Sequence, residues 1–515
     1  MLAHHGKSQR AHFSVFDTRL MAIIMSPVRR LLMKKKFFTC LGVLGTISLL
    51  LASCATNYPP TTFEPPTEIS APDAIPTAVQ PPKAAAENDF SALSYTQAFD
   101  SMFEIARREY AFNGVAGKPP DWDALYADIR PRIQQAEAER DPQKYFLALR
   151  AFTLAFRDGN VNLGGGDIQV SLFQAAIAGG YGFALRELDD GRVLVTYVAA
   201  GGPAAGAGIQ PGAQVTGFSG QPISSALEAV AIWGAPPSIE SFLRYQQSRY
   251  LLRVPLGTEA AVTFANPGGE SQTVALTAIR ENESFAITSV FLNYNAQSLP
   301  VEYKILPSGV GYIKISSTSD NREEITRLFE SALKDFQAAQ ISSVIIDLRV
   351  VVNLTPGSLL PPLGLAGFLT DQVIPLGQFQ YFNATAGGFE SEGELQTIRP
   401  KPSQYHFPKL ALLIGPGCSN ACELEAYAFS KAPGMSVVGQ FPSAGVLSDV
   451  TGGQFLLPEG FSLQIPTGRF VLPDGGILLE GQGLPLTVRV PVDETTVLSA
   501  EDVVLNAAEA MVVGE

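Results

Sequence analysis

Along the chain, stretches with apolar residues every three or four positions give way to short apolar runs long enough only for strands. Ser94 stands before a segment in which Phe99, Met102, Phe103, Ala106 and Tyr110 share one helical face, and its hydroxyl suits a helix N-cap. Asp121 precedes a second such segment carrying Trp122, Leu125 and Ile129. Asp141 and Pro142 open a third, through Phe146, Leu149, Phe152 and Phe156, with proline at the first helical position. Residues 192–198 alternate as a strand. Further on, 311–315 reads as a strand, 323–339 as a helix and 344–348 as another strand. Leu410 to Ile414 is a buried-strand run broken by Gly415, Pro416 and Gly417; Ala421, Leu424, Ala428 and Phe429 then return to helical spacing, and Met435 to Val438 is strand again. This order predicts an α/β core with parallel strands.

The N-terminus follows different rules. Arg29, Arg30 and Lys34 to Lys36 precede the apolar run Phe37 to Ala52, the layout of a signal peptide starting at Met33. The run ends Leu51-Ala52-Ser53-Cys54, which resembles a lipobox and implies a lipid on Cys54 and an extracytoplasmic, membrane-anchored protein. Residues 55–90, rich in Pro, Thr and Ala, read as an extended tether.

Loss of 1–54 removes eight basic residues and one acidic residue, taking the formal charge from −13 to −20. Such a surface repels nucleic acid, so no nucleic-acid partner is expected. Of four cysteines only Cys418 and Cys422 then remain without a predicted role. In an oxidising compartment they could close a small disulfide loop, although this spacing at a helix start is geometrically demanding.

The strand, turn and helix over 409–440 is the candidate chemical centre. A sharp turn into a helix N-terminus presents one side chain beside free backbone amides, which is how hydrolases hold a nucleophile next to an oxyanion hole. An ordinary βαβ connection has the same local pattern. Anchored on Glu423 and on Val437-Val438-Gly439, the stretch resembles the nucleophile region of the tail-specific proteases of peptidase family S41. The resemblance puts Asn420 at the position of the catalytic serine, with Ser419 as an alternative nucleophile, and the amide of Ala421 in the oxyanion hole. Asp158-Gly159-Asn160-Val161 is similar to the D-G-H-V segment of tricorn-type members, which places Asn160 at the histidine. Residues 347–357 resemble the family's IDLRxNxGG turn without its paired glycines, leaving Gly357 as the other oxyanion donor. Gly445 stands where Ser–Lys members carry lysine, and Glu480 matches the carboxylate that orients the histidine. An amide is neither nucleophile nor base, so this pattern implies impaired catalysis. His406, before the 410–414 strand, is the one histidine beyond the signal region.

Residues 180–280 resemble a PDZ domain. Gly180, Tyr181, Gly182 and Phe183 are similar to its carboxylate-binding loop, and Gly202 to Gly212 to the short helix and turn of protease-associated members. The resemblance implies polypeptide ligands with free C-termini. It implies no cofactor and no metal. The expected architecture is multidomain, α/β and α+β: a signal peptide with lipobox at 1–54, a linker at 55–90, a helical domain at 91–165, a PDZ domain at 166–285 (β-sandwich-like with helices) and a ClpP/crotonase-like protease core at 295–515. Function is then that of a serine-type peptidase of the envelope with weakened chemistry, or of a non-catalytic peptide-binding pseudoprotease.

Overall fold

The computed structural model describes residues 88–318, 321–352 and 362–514. Cys54, the signal segment, the tether up to residue 87 and Gly357 lie outside the described residues.

Three helices come first, α1 (Tyr95–Glu109), α2 (Trp122–Glu139) and α3 (Pro142–Thr153). Their starts are fixed by the side chains that sequence suggests. Asp141 accepts from the amides of Gln143 and Lys144 at 2.9 and 3.0 Å, and Asp121 from Ala124 at 3.0 Å. Helix α3 stops at Thr153, short of Phe156, which is buried in the turn beyond it. The helices do not close a core by themselves. Phe455, Leu457, Phe461, Leu463 and Ile465, from two strands far along the chain, complete it. The segment after α3 joins this sheet, with Asn162 paired to Gln464. At the other end Phe90 donates to the Leu456 carbonyl at 2.8 Å, so the chain is docked from residue 88 onward.

The next unit is an antiparallel sheet ordered β1 (Phe183–Glu187), β2 (Val193–Val198), β3 (Gln214–Phe218), β4 (Glu259–Ala265) and β5 (Ser271–Thr277). Helix α4 (Glu240–Tyr250) runs beside the edge strand β1, and Arg244 of α4 forks onto Glu187 with two bonds of 2.8 Å. Residues 203–206 make the expected short helix.

The α/β core is a six-stranded sheet in simple order: β6 (Val301–Ile305), β7 (Gly311–Ile315), β8 (Ser343–Asp347), β9 (Lys409–Leu413), β10 (Met435–Gly439) and β11 (Val488–Arg489). All neighbours are parallel except β6 and β7. Helix α5 (Arg322–Ala338) covers one face through Ile325, Phe329 and Phe336, together with α6 (Ala421–Phe429). Helix α7 (Val503–Val513) covers the other through Val504, Ala508 and Val512. Val344 to Ile346 of β8 and Leu410 to Leu413 of β9 read as unbroken apolar runs because both faces of these strands are buried. A long hairpin, Ile374–Asn383 with Gly388–Ile398, carries no signal in the sequence reading.

Candidate functional site

The centre forms where β9 ends. Gly417 is a glycine by necessity, because a Cβ there would run into the Arg349 carbonyl oxygen as the turn bridges to Val350. Asn420 follows at φ +51° and ψ −115°, a conformation that non-glycine residues rarely adopt. It is held there from three sides. Its own amide donates to Glu423 Oε2 at 3.2 Å, a disulfide joins Cys418 to Cys422 around it, and Ala444 donates to the Cys418 carbonyl at 2.9 Å. Glu423 is fully buried and also accepts from Ser443 Oγ (2.6 Å) and from the amides of Gly445 (2.7 Å) and Val446 (3.0 Å). Burial pushes its carboxyl up and these donors pull it back, with burial the larger effect.

Asn160 arrives from the opposite side, on the turn after α3. Asp158 shapes that turn by accepting from the Asn160 amide at 2.9 Å, and Tyr110 Oη bonds its other oxygen at 2.9 Å. The two asparagines meet as a reciprocal amide pair: Asn160 Nδ2 donates to Asn420 Oδ1 at 2.9 Å, and Asn420 Nδ2 donates back to Asn160 Oδ1 at 3.1 Å. Asn160 Nδ2 also reaches the Val446 carbonyl and Ser448 Oγ, both at 2.7 Å. The pair is neutral and holds no group that takes up a proton near neutral pH.

Glu480 lies in the same region but does not hydrogen-bond Asn160. Its buried carboxylate is 2.6 Å from Lys118 Nζ, which also donates to the Arg157 carbonyl at 2.7 Å. Its second oxygen, Oε2, has no partner among the described residues. Burial, then the charge of Asp158, hold the Glu480 carboxyl well above the usual carboxylate range, against the pull of Lys118. Lys118 is the residue that sequence reasoning missed, as it sits in an aperiodic loop with nothing local to mark it.

The remaining candidates fall as follows. Ser419 is half-buried next to Asn420, and His406 is exposed before β9. The amide of Ala421, at the first turn of α6, donates to no acceptor among the described residues. Gly445 has φ +67°, and a Cβ there would lie 3.0 Å from the Gly483 amide, so the backbone itself refuses a lysine at this position. Among the described residues no cluster of His, Cys, Asp and Glu could hold a metal ion.

In the second unit, Tyr181 and Phe183 are buried, and Gly182 (φ +76°) packs against Gly202. The Gly180 amide is already bonded to the Ile279 carbonyl at 2.9 Å. The groove between β1 and α4 is occupied by the chain's own residues 281–289. Phe285 is buried under Arg249, whose carbon Cζ sits 4.2 Å from the ring centre. Arg253 pairs with Glu281 beside Gly180, and Thr288 accepts from Arg249 Nε at 3.0 Å.

Residues 309–490 match peptidase family S41, and residues 169–233 match the PDZ domain. A search of curated protein sequences returned no match. Among solved structures, mature CPAF aligns with TM-score 0.55 at 13% identity over 79% of this chain and 94% of that one. Mature CPAF complexed with lactacystin gives 0.54 at 12% identity over 82% and 96%. The photosystem II D1 C-terminal processing protease gives 0.38 at 17% identity over 82% and 98%. The two CPAF structures share the fold of this chain.

Proposed function

We propose that this chain, whose residues 309–490 match peptidase family S41 and whose residues 169–233 match the PDZ domain, binds polypeptide tails at the cell envelope and has lost the cleavage chemistry of that family. The observation that supports this reading is the Asn160–Asn420 pair, two amides bonded to each other where the family resemblance places base and nucleophile. Neither side chain can attack a carbonyl or take the proton of a neighbour that does. The lipobox-like end of the signal segment, Leu51 to Cys54, argues for a lipid anchor facing outward; Cys54→Ala should then move the protein from the membrane fraction to the soluble one.

The test of lost chemistry uses an unstructured polypeptide with an apolar C-terminus, followed by mass spectrometry. Wild type should leave it intact. Asn420→Ser combined with Asn160→His should give weak cleavage, and each change alone almost none, because members of such a site act as a unit. Robust cleavage by wild type, abolished by Ser419→Ala and indifferent to Asn420→Ala, would overturn the proposal.

A further inference from the structure

A cleft of about 480 Å³ opens between the PDZ unit and the C-terminal ends of the core's parallel strands. Arg186 of β1 lines it, with Tyr245 of α4 on one side and Gln440, Phe441, Pro416 and Lys314 from the core. Ligands of open α/β sheets bind at that end of the strands.

The cations and carboxylates of this cleft are unequally matched. Arg349 is fully engaged, 2.7 Å from both Asp347 and Asp502. Lys314 Nζ donates to the Asn293 carbonyl at 3.1 Å. Asp189, the acid near Arg186, is taken by two 2.6 Å bonds from Arg489. Arg186 is left half-buried, with no hydrogen-bond or carboxylate partner among the described residues. Its guanidinium packs 4.3 Å from the centre of the Tyr245 ring and 4.7 Å from that of Phe441. Stacking on aromatic faces leaves the in-plane N–H groups free, which is the geometry that receives a carboxylate with two parallel bonds. Meanwhile the groove between β1 and α4, where a PDZ domain would seat a peptide, is filled by Phe285 and its neighbours.

We propose that Arg186 is the receptor for the terminal carboxylate of a bound polypeptide, which lies in the cleft between the PDZ unit and the core and not in the groove beside α4. This rests on the polypeptide-binding reading above. The free fork of Arg186 supplies the charge, Tyr245 and Phe441 fix its plane, and the apolar walls at Ile287, Val497 and Pro416 suit an apolar last side chain.

The probe is a fluorescein-labelled, unstructured ten-residue peptide ending in leucine, as free acid and as C-terminal amide, read by anisotropy on the whole mature protein. Wild type should prefer the acid. Arg186→Gln should weaken the acid form by about ten- to a hundredfold, the worth of a charged hydrogen bond, and leave the amide form unchanged. Arg186→Lys keeps charge without the fork and should fall between. Thermal melting of both variants separates loss of the site from loss of the fold. If Arg186→Gln melts like wild type and still prefers the acid, the carboxylate is held elsewhere; this inference fails and the polypeptide-binding reading stands. If wild type binds neither form, both fail.

Discussion

Lys118 Nζ lies 2.6 Å from Glu480 Oε1, and both side chains are buried although 362 residues separate them in the chain. This ion pair, together with Asp158, sets the electrostatics behind the Asn160–Asn420 pair. The raised Glu480 carboxyl favours the fold most when it carries a proton. That contribution is full in acid and is lost as pH rises through its elevated folded value.

Lys118→Met removes the one charge that opposes this. It should cost about 3–5 kcal/mol of stability at pH 8, the usual penalty for leaving a buried charge alone. At pH 5 the loss should shrink, because the raised carboxyl takes up protons as the pH falls. Urea unfolding at both values measures the difference. An equal loss at each would mean that Lys118 matters by packing on Phe112 and not by charge.

The amide pair is testable as a coupling. Asn160→Ala and Asn420→Ala each break both bonds, so the double variant should lose less than the two single losses added together. A coupling of about 0.5–3 kcal/mol is expected from a double-mutant cycle of chemical denaturation. Strict additivity would show that the two side chains do not depend on each other.

Reduction of the Cys418–Cys422 bond frees a very short loop. Chain entropy then predicts a loss of about 2 kcal/mol. Cys418→Ala with Cys422→Ala should match the reduced protein in guanidinium unfolding. Unfolding of the whole molecule on reduction would show that the turn depends on the bond far more than loop closure explains.

Gly445→Ala places a side chain at φ +67° and within 3.0 Å of backbone. It should destabilise by about 1–3 kcal/mol, and Gly445→Lys by no less. A neutral Gly445→Ala would show that the 443–446 loop moves freely despite its bonds to Glu423.

The helices, the short PDZ helix and the core strands are legible in sequence because their signals are local. Caps such as Asp121 and Asp141 sit three residues or fewer from the amides they satisfy. The apolar runs of β8 and β9 mark a doubly covered sheet wherever they occur. The site is legible only where a motif resembles a family, as at Asn160 and Asn420. Lys118 and Arg186 belong to no period or motif, and each gains meaning from partners, or from a lack of them, hundreds of residues away. Residues 281–289 carry no motif, and nothing local states that Phe285 fills a groove.

The helical layer that positions Asn160 borrows Phe455, Leu457, Phe461, Leu463 and Ile465 from late in the chain. During synthesis or export, N-terminus first, those helices emerge well before the strands that seal them. At about 5–20 residues per second the wait is on the order of tens of seconds. Through that interval Tyr145 and Phe146, which Phe461 later covers, have an open apolar flank, a natural point of hold for a chaperone. The asparagine pair can only close at the end, so a chain truncated before residue 454 should be delivered to proteolysis and not persist as a stable fragment.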